Sequence, residues 1–171
     1  SAIISFKKAI ELNPSFSEAY INLGHTLTEL DRFEEAISQC QKSIIFNSGL
    51  SAAYFNLANI LTHYEAATFS DSMATNFINI LNLKTTVSPI KLSKSVISLL
   101  KHHQSVKNAI INNKDYSGAL VSKFCKQLSE IPLFLKIIEL CPIPDWEMEN
   151  LLTNLRRTLL LERGKLSKDS K

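Results

Sequence analysis

Ala19-Tyr20-Ile21-Asn22-Leu23-Gly24 returns thirty-four residues later as Ala53-Tyr54-Phe55-Asn56-Leu57-Ala58, and Leu27 is answered by Leu61. Tyr20, Leu23, Gly24 and Leu27 stand at i, i+3, i+4 and i+7, one face of a helix. Gly24 costs about 1 kcal/mol in a helix interior unless a close helix crossing needs its missing side chain. The small Ala58 at the matching position supports that packing reason. Asp31-Arg32 reads as a turn, after which Phe33, Ala36, Ile37, Cys40 and Ile44 form the inner face of a second helix. A period of this length is the spacing of stacked helix-turn-helix units. It points to an extended binding surface rather than a catalytic pocket.

The flanking sequence extends the register both ways. Upstream, Ala2, Phe6, Ala9 and Pro14 occupy the positions of a preceding second helix, and Asn13-Pro14-Ser15 forms the turn between units because proline cannot continue a helix. Downstream, Tyr54, Leu57, Ala58 and Leu61 define another first helix. A partner helix is expected over 68–83, with Phe69, Met73, Phe77, Ile78 and Leu81, but without the alanine signature. The chain opens with Ser inside a helical pattern, so it is expected to be a piece of a longer protein.

These features resemble the tetratricopeptide repeat, whose pattern of large aromatic, Leu-Gly, second large residue, Ala and bulky apolar reads here as Tyr20, Leu23-Gly24, Leu27, Phe33, Ala36 and Cys40. Asn47-Ser48 replaces its closing proline. The resemblance implies an all-α antiparallel helix-pair solenoid over residues 1–84, with a partial unit at 1–14, a complete one at 17–48 and a degenerate one at 51–84. It also implies a protein- or peptide-binding scaffold. Asn22 and Asn56 match the asparagine that, in superhelical arrays of the O-linked N-acetylglucosamine transferase type, forms a ladder on extended peptide backbone. An amide suits that task because it both donates and accepts hydrogen bonds. In the same register His25, Glu29, Asn59 and His63, with Thr28 and Thr62, are expected on the concave face.

The remainder, 85–163, is expected to be a helical region or connector without the repeat. Ser88-Pro89 starts a helix, with Pro at its first position; Ile90, Val96, Ile97 and Leu100 follow at helical spacing. His102-His103 marks a break before Val106, Ala109 and Ile110. Asn112-Asn113-Lys114-Asp115 is a turn cluster. Leu120, Val121, Phe124 and Leu128 form a further helix, and another spans 132–140. The last helix is capped by Asp145 and buries Met148, Leu151, Leu152, Leu155 and Leu159. Residues 131–160 are similar to the helical connector ahead of a methyltransferase-like domain in bacterial tetratricopeptide proteins. That resemblance implies an alternative role, the substrate-presenting and non-catalytic portion of a larger methyltransferase or glycosyltransferase. Residues 164–171 are expected to form a polar, disordered tail.

Composition narrows the remaining classes. Four glycines and five prolines among 171 residues leave little material for a many-turned β fold. The three cysteines lack Cys-x-x-Cys spacing, which argues against zinc and disulfides and for a reducing, cytoplasmic setting. Residues 1–84 carry five Lys/Arg against eight Asp/Glu, and residues 85–171 fourteen against eight. The basic residues of the second half are scattered without aromatic platforms, so nucleic acid is not the expected partner. No apolar run reaches the roughly 18 residues of a membrane span. No phosphate loop, nucleophile elbow or zinc-protease motif occurs, so the chain is expected to be non-enzymatic, with no cofactor and no metal.

Overall fold

The computed structural model describes residues 2–49, 51–83, 87–112 and 118–166, the side chains of 118 and 159–166 excepted. Residues 164–166, expected to open a disordered tail, continue the last helix instead, while the expectations for Asn113, Lys114, Asp115, the Leu159 side chain and the tail beyond 166 lie outside the described residues. Those residues hold ten α-helices and no strand. Over the described residues the chain is all-α, and it divides into two compact units, 1–64 with 82–88 and 65–81 with 89–171.

The first unit contains α1 (Ala2–Leu12), α2 (Ser17–Thr28), α3 (Phe33–Phe46) and α4 (Ser51–His63). Each packs on the next, and α2 also touches α4. α2 and α3 approach closely at Gly24, for the reason the sequence suggests. A Cβ built on Gly24 would meet Cys40 Sγ at 3.1 Å and the Ala36 carbonyl oxygen at 3.4 Å. Tyr20, Leu23, Leu27, Ala36, Ile37 and Cys40 are buried there. Ser43 stands fully buried at a further small-residue position, and its hydroxyl donates to the Ser17 carbonyl at 3.1 Å. The Tyr20 hydroxyl donates to the Pro14 carbonyl at 3.1 Å, tying the first helix of the unit to the preceding turn.

The turns show why the helices stop. Asn13 Oδ1 accepts from the Ser15 amide at 3.2 Å, and thirty-four residues later Asn47 Oδ1 accepts from the Gly49 amide at 3.2 Å. Asn47 therefore closes its unit with the same side-chain turn as Asn13 although the proline is missing. After α2 the Arg32 amide bonds the Leu27 carbonyl at 2.9 Å and the Asp31 amide bonds the Thr28 carbonyl at 3.0 Å. This is a Schellman end, and it places Asp31 at φ 57°, the left-handed position usually held by glycine. Arg32 then grips Glu35 through two hydrogen bonds of 2.6 and 2.7 Å.

The second unit contains α5 (Asp71–Asn82, its last residue excepted), α6 (Pro89–Lys101), α7 (Gln104–Ile111), α8 (Gly118–Ser129), α9 (Pro132–Leu140) and α10 (Trp146–Leu166). α5 is the helix expected over 68–83. It starts at Asp71, and Phe69 lies ahead of it, edge-on to His103 at 4.7 Å between ring centroids. α6 packs on α7 and α9, α8 on α7, α9 and α10, and α10 on α7. Leu92, Val96, Leu100, Leu133, Ile137, Met148 and Leu151 fill the core. Ile90, expected to share the apolar face of α6, is exposed, one turn short of that core. His103 breaks the chain between α6 and α7 as expected, and its Nδ1 accepts from the Ser105 amide at 3.2 Å to cap α7.

Asp145 caps α10, accepting from the Met148 amide at 3.0 Å. Its other oxygen takes a 2.6 Å hydrogen bond from Lys101 Nζ, which also reaches Glu147 at 2.8 Å. Burial pushes the Asp145 pKa up, but the Lys101 hydrogen bond, the Met148 amide and the Lys101 charge together outweigh it and hold the carboxyl below its ordinary value. Burial acts downward on Lys101, and its two carboxylate partners overcome that and raise it.

Candidate functional site

Helix α2 sorts its residues into two sets. Ala19, Tyr20, Leu23, Gly24 and Leu27 are buried, whereas Glu18, Asn22 and His25 are exposed, as is Glu29 just past its end. The exposed set falls at i, i+4, i+7 and i+11, so it forms one stripe along the helix. In α4 the exposed set is Ser51, Ala52, Phe55, Asn59 and His63, and Asn56 is half-buried. Five of the six sequence-derived positions, Asn22, His25, Glu29, Asn59 and His63, thus reach solvent on the first helices of their units. Asn56 is half-buried, although its register counterpart Asn22 is exposed.

Local contacts orient these side chains. His25 Nδ1 lies 3.7 Å from Glu29 Oε1, one helical turn away. His63 stacks on Phe33 of α3, with ring centroids 6.5 Å apart and planes 14° from parallel. The Asn22 carbonyl accepts from the Thr26 hydroxyl at 2.9 Å, and the Gly24 carbonyl from Thr28 at 2.9 Å. In α4 the Thr62 hydroxyl donates to the Asn59 carbonyl at 2.7 Å. The threonines expected beside the asparagines thus direct their hydroxyls into their own helices.

Phe55 carries no distinguishing signal in the sequence. It is 51% exposed, although its register partner Ile21 is 8% exposed. The pattern alone gives both the same environment, so only the packing separates them. An exposed ring beside an amide is the kind of contact that binding surfaces use.

The second unit carries a cleft of about 420 Å³ where α9 ends and α10 begins, lined by Glu139, Cys141, Ile143, Glu149, Leu152 and Arg156 among others. Burial raises the Cys141 thiol above its ordinary pKa, and raises Cys125 likewise. Cys40 is pushed up to about 12 by burial. All three thiols are therefore held in their unreactive protonated form at neutral pH. Among the described residues no three His, Cys, Asp or Glu side chains gather in a metal-binding group.

The tetratricopeptide repeat family model matches residues 5–38, spanning most of α1, all of α2 and the first turns of α3. No curated protein and no solved structure matches the chain.

Proposed function

We propose that the exposed stripes of α2 and α4 receive an extended segment of another protein, and that the chain acts as a non-catalytic scaffold. Its starting point is the tetratricopeptide-type repeat of the first helices, a class of protein-interaction scaffold that is typically non-catalytic. Among the described residues no helix is long and apolar enough to cross a membrane.

One observation carries the assignment to these stripes: Asn22 is exposed while Leu23 beside it is 2% exposed. The apolar neighbours hold the helix fixed, so the amide is presented on a rigid support with little ordering cost on the receptor side. Asn22, Asn56 and Asn59 can each donate to and accept from a peptide unit without reading its side chain. His25, Glu29 and His63 would supply the side-chain contacts. The free thiols suit a reducing, cytoplasmic setting.

The test is selection of a random peptide library on the immobilised chain, followed by affinity measurement on Asn22→Ala with Asn56→Ala. Loss of binding with an unchanged thermal unfolding curve is expected. Equal affinity of the wild type and the double variant for the selected peptides would refute the amide ladder.

A further inference from the structure

We infer that the segment seated on this face is cationic, carrying basic side chains at neighbouring positions that point to opposite ends of α2; this rests on the peptide-binding reading above. The sequences of α2 and α4 contain no lysine or arginine, while Glu18 and Glu29 are exposed on the same stripe as Asn22. At 1.5 Å rise per residue, Glu18 lies about 6 Å to one side of Asn22 along the axis and Glu29 about 10 Å to the other. An extended strand sends successive side chains in opposite directions. A strand crossing α2 with its backbone on Asn22 therefore aims one side chain toward Glu18 and its neighbour toward Glu29. Lysine and arginine have the length to span those distances, and carboxylates at both ends complement their charge.

Two further features favour the same occupant. Glu29 faces His25 at 3.7 Å, and both side chains are about two-thirds exposed, so its carboxylate is accessible to a stronger cation. Phe55 presents a half-exposed ring on α4. Such a ring accepts a cation over its face or the aliphatic stem of a lysine or arginine. An acidic segment would meet two carboxylates and no lysine or arginine on either helix, which disfavours it.

The experiment selects a random peptide library on the full chain and on Glu18→Gln with Glu29→Gln, a pair of exposed substitutions that keep the helix, checked by circular dichroism. Peptides selected on the wild type should be enriched in adjacent lysine or arginine. A short fluorescein-labelled peptide carrying two adjacent lysines should bind the wild type roughly tenfold more tightly than the double variant, the sum of two exposed charge pairs. That difference should shrink as salt is raised. Selected peptides without basic residues, or equal affinity in both proteins, overturn the inference. If those peptides still lose affinity with Asn22→Ala, the peptide-binding face stands and only its charge preference falls. If no peptide is selected, both fall.

Discussion

Replacing Gly24 by alanine isolates the crossing on which the repeat depends. The added methyl would sit 3.1 Å from Cys40 Sγ and 3.4 Å from the Ala36 carbonyl. Ordinary contacts between such heavy atoms begin at about 3.5 Å, so the sulfur is overlapped by several tenths of an ångström and must yield. Overpacking of this kind costs about 1–3 kcal/mol. Against it, alanine is favoured over glycine in a helix by about 1 kcal/mol. Gly24→Ala alone should therefore lose about 1 kcal/mol. Cys40→Ala removes the obstructing sulfur and on its own costs about 1 kcal/mol through the cavity it leaves. In that background Gly24→Ala should change sign and gain up to about 1 kcal/mol, a coupling of about 2 kcal/mol between the two sites. Urea unfolding of the four proteins, followed by far-ultraviolet circular dichroism, measures the cycle. If Gly24→Ala has the same effect with and without the Cys40 sulfur, the close-crossing account of Gly24 is wrong.

Further outcomes concern the chain's turns and the half-buried Lys101–Asp145 pair. Asp31→Gly relieves a left-handed backbone at the end of α2 and should stabilise the chain by about 0.5–1 kcal/mol, read as a higher urea midpoint; a lower midpoint would mean that the aspartate side chain has a role of its own. Asn47→Ala removes the turn bond to Gly49 and should cost about 0.5 kcal/mol, and Asn13→Ala, which also loses a 2.9 Å bond from the Ser15 hydroxyl, should cost at least as much; a smaller loss at Asn13 would break the equivalence. Asp145, with its pKa held below the ordinary value near 3.8, stabilises the fold fully above about pH 4 and loses that contribution as acid protonates it. Lys101, raised above its ordinary 10.5, does the reverse and loses its contribution only as alkali deprotonates it. Lys101→Met should therefore flatten the fall in stability below pH 4, and an unchanged acid limb in urea titrations at several pH values would show that the pair does not set it.

The repeat was legible because it is written in residue size as well as hydropathy. Gly24, Ala36 and Ala58 mark where backbones approach, and a thirty-four-residue spacing leaves few other architectures. Of the six positions that helical register assigns to one face, Asn22, His25, Glu29, Asn59 and His63 are exposed and Asn56 is half-buried. What stayed hidden depends on partners distant in sequence. Phe55 and Ile21 share a register position, and only their differing cover distinguishes them. Lys101 meets Asp145 across forty-four residues, with no local signal at either end. Ser43 reads as a polar interruption of α3 until its hydroxyl is seen to satisfy the Ser17 carbonyl. α5 starts at Asp71 rather than 68: Phe69 fits the helical pattern, yet its ring packs against His103 instead.

The separation of roles on α2 gives the binding proposal its particular strength. A first helix of this kind spends two of its faces on neighbouring helices, and Tyr20, Leu23, Gly24 and Leu27 occupy them. Every residue on the remaining face is free of that duty, which is why Glu18, Asn22, His25 and Glu29 can all be polar without weakening the fold. Substitutions there should be nearly silent in stability, within about 0.5 kcal/mol, while those one residue away at Leu23 should cost about 2–5 kcal/mol. A residue whose loss abolishes binding but not folding therefore belongs to the stripe. If Asn22→Ala unfolded the chain as Leu23→Ala does, its amide would be serving the helix packing, and the face would lose its claim to a ligand.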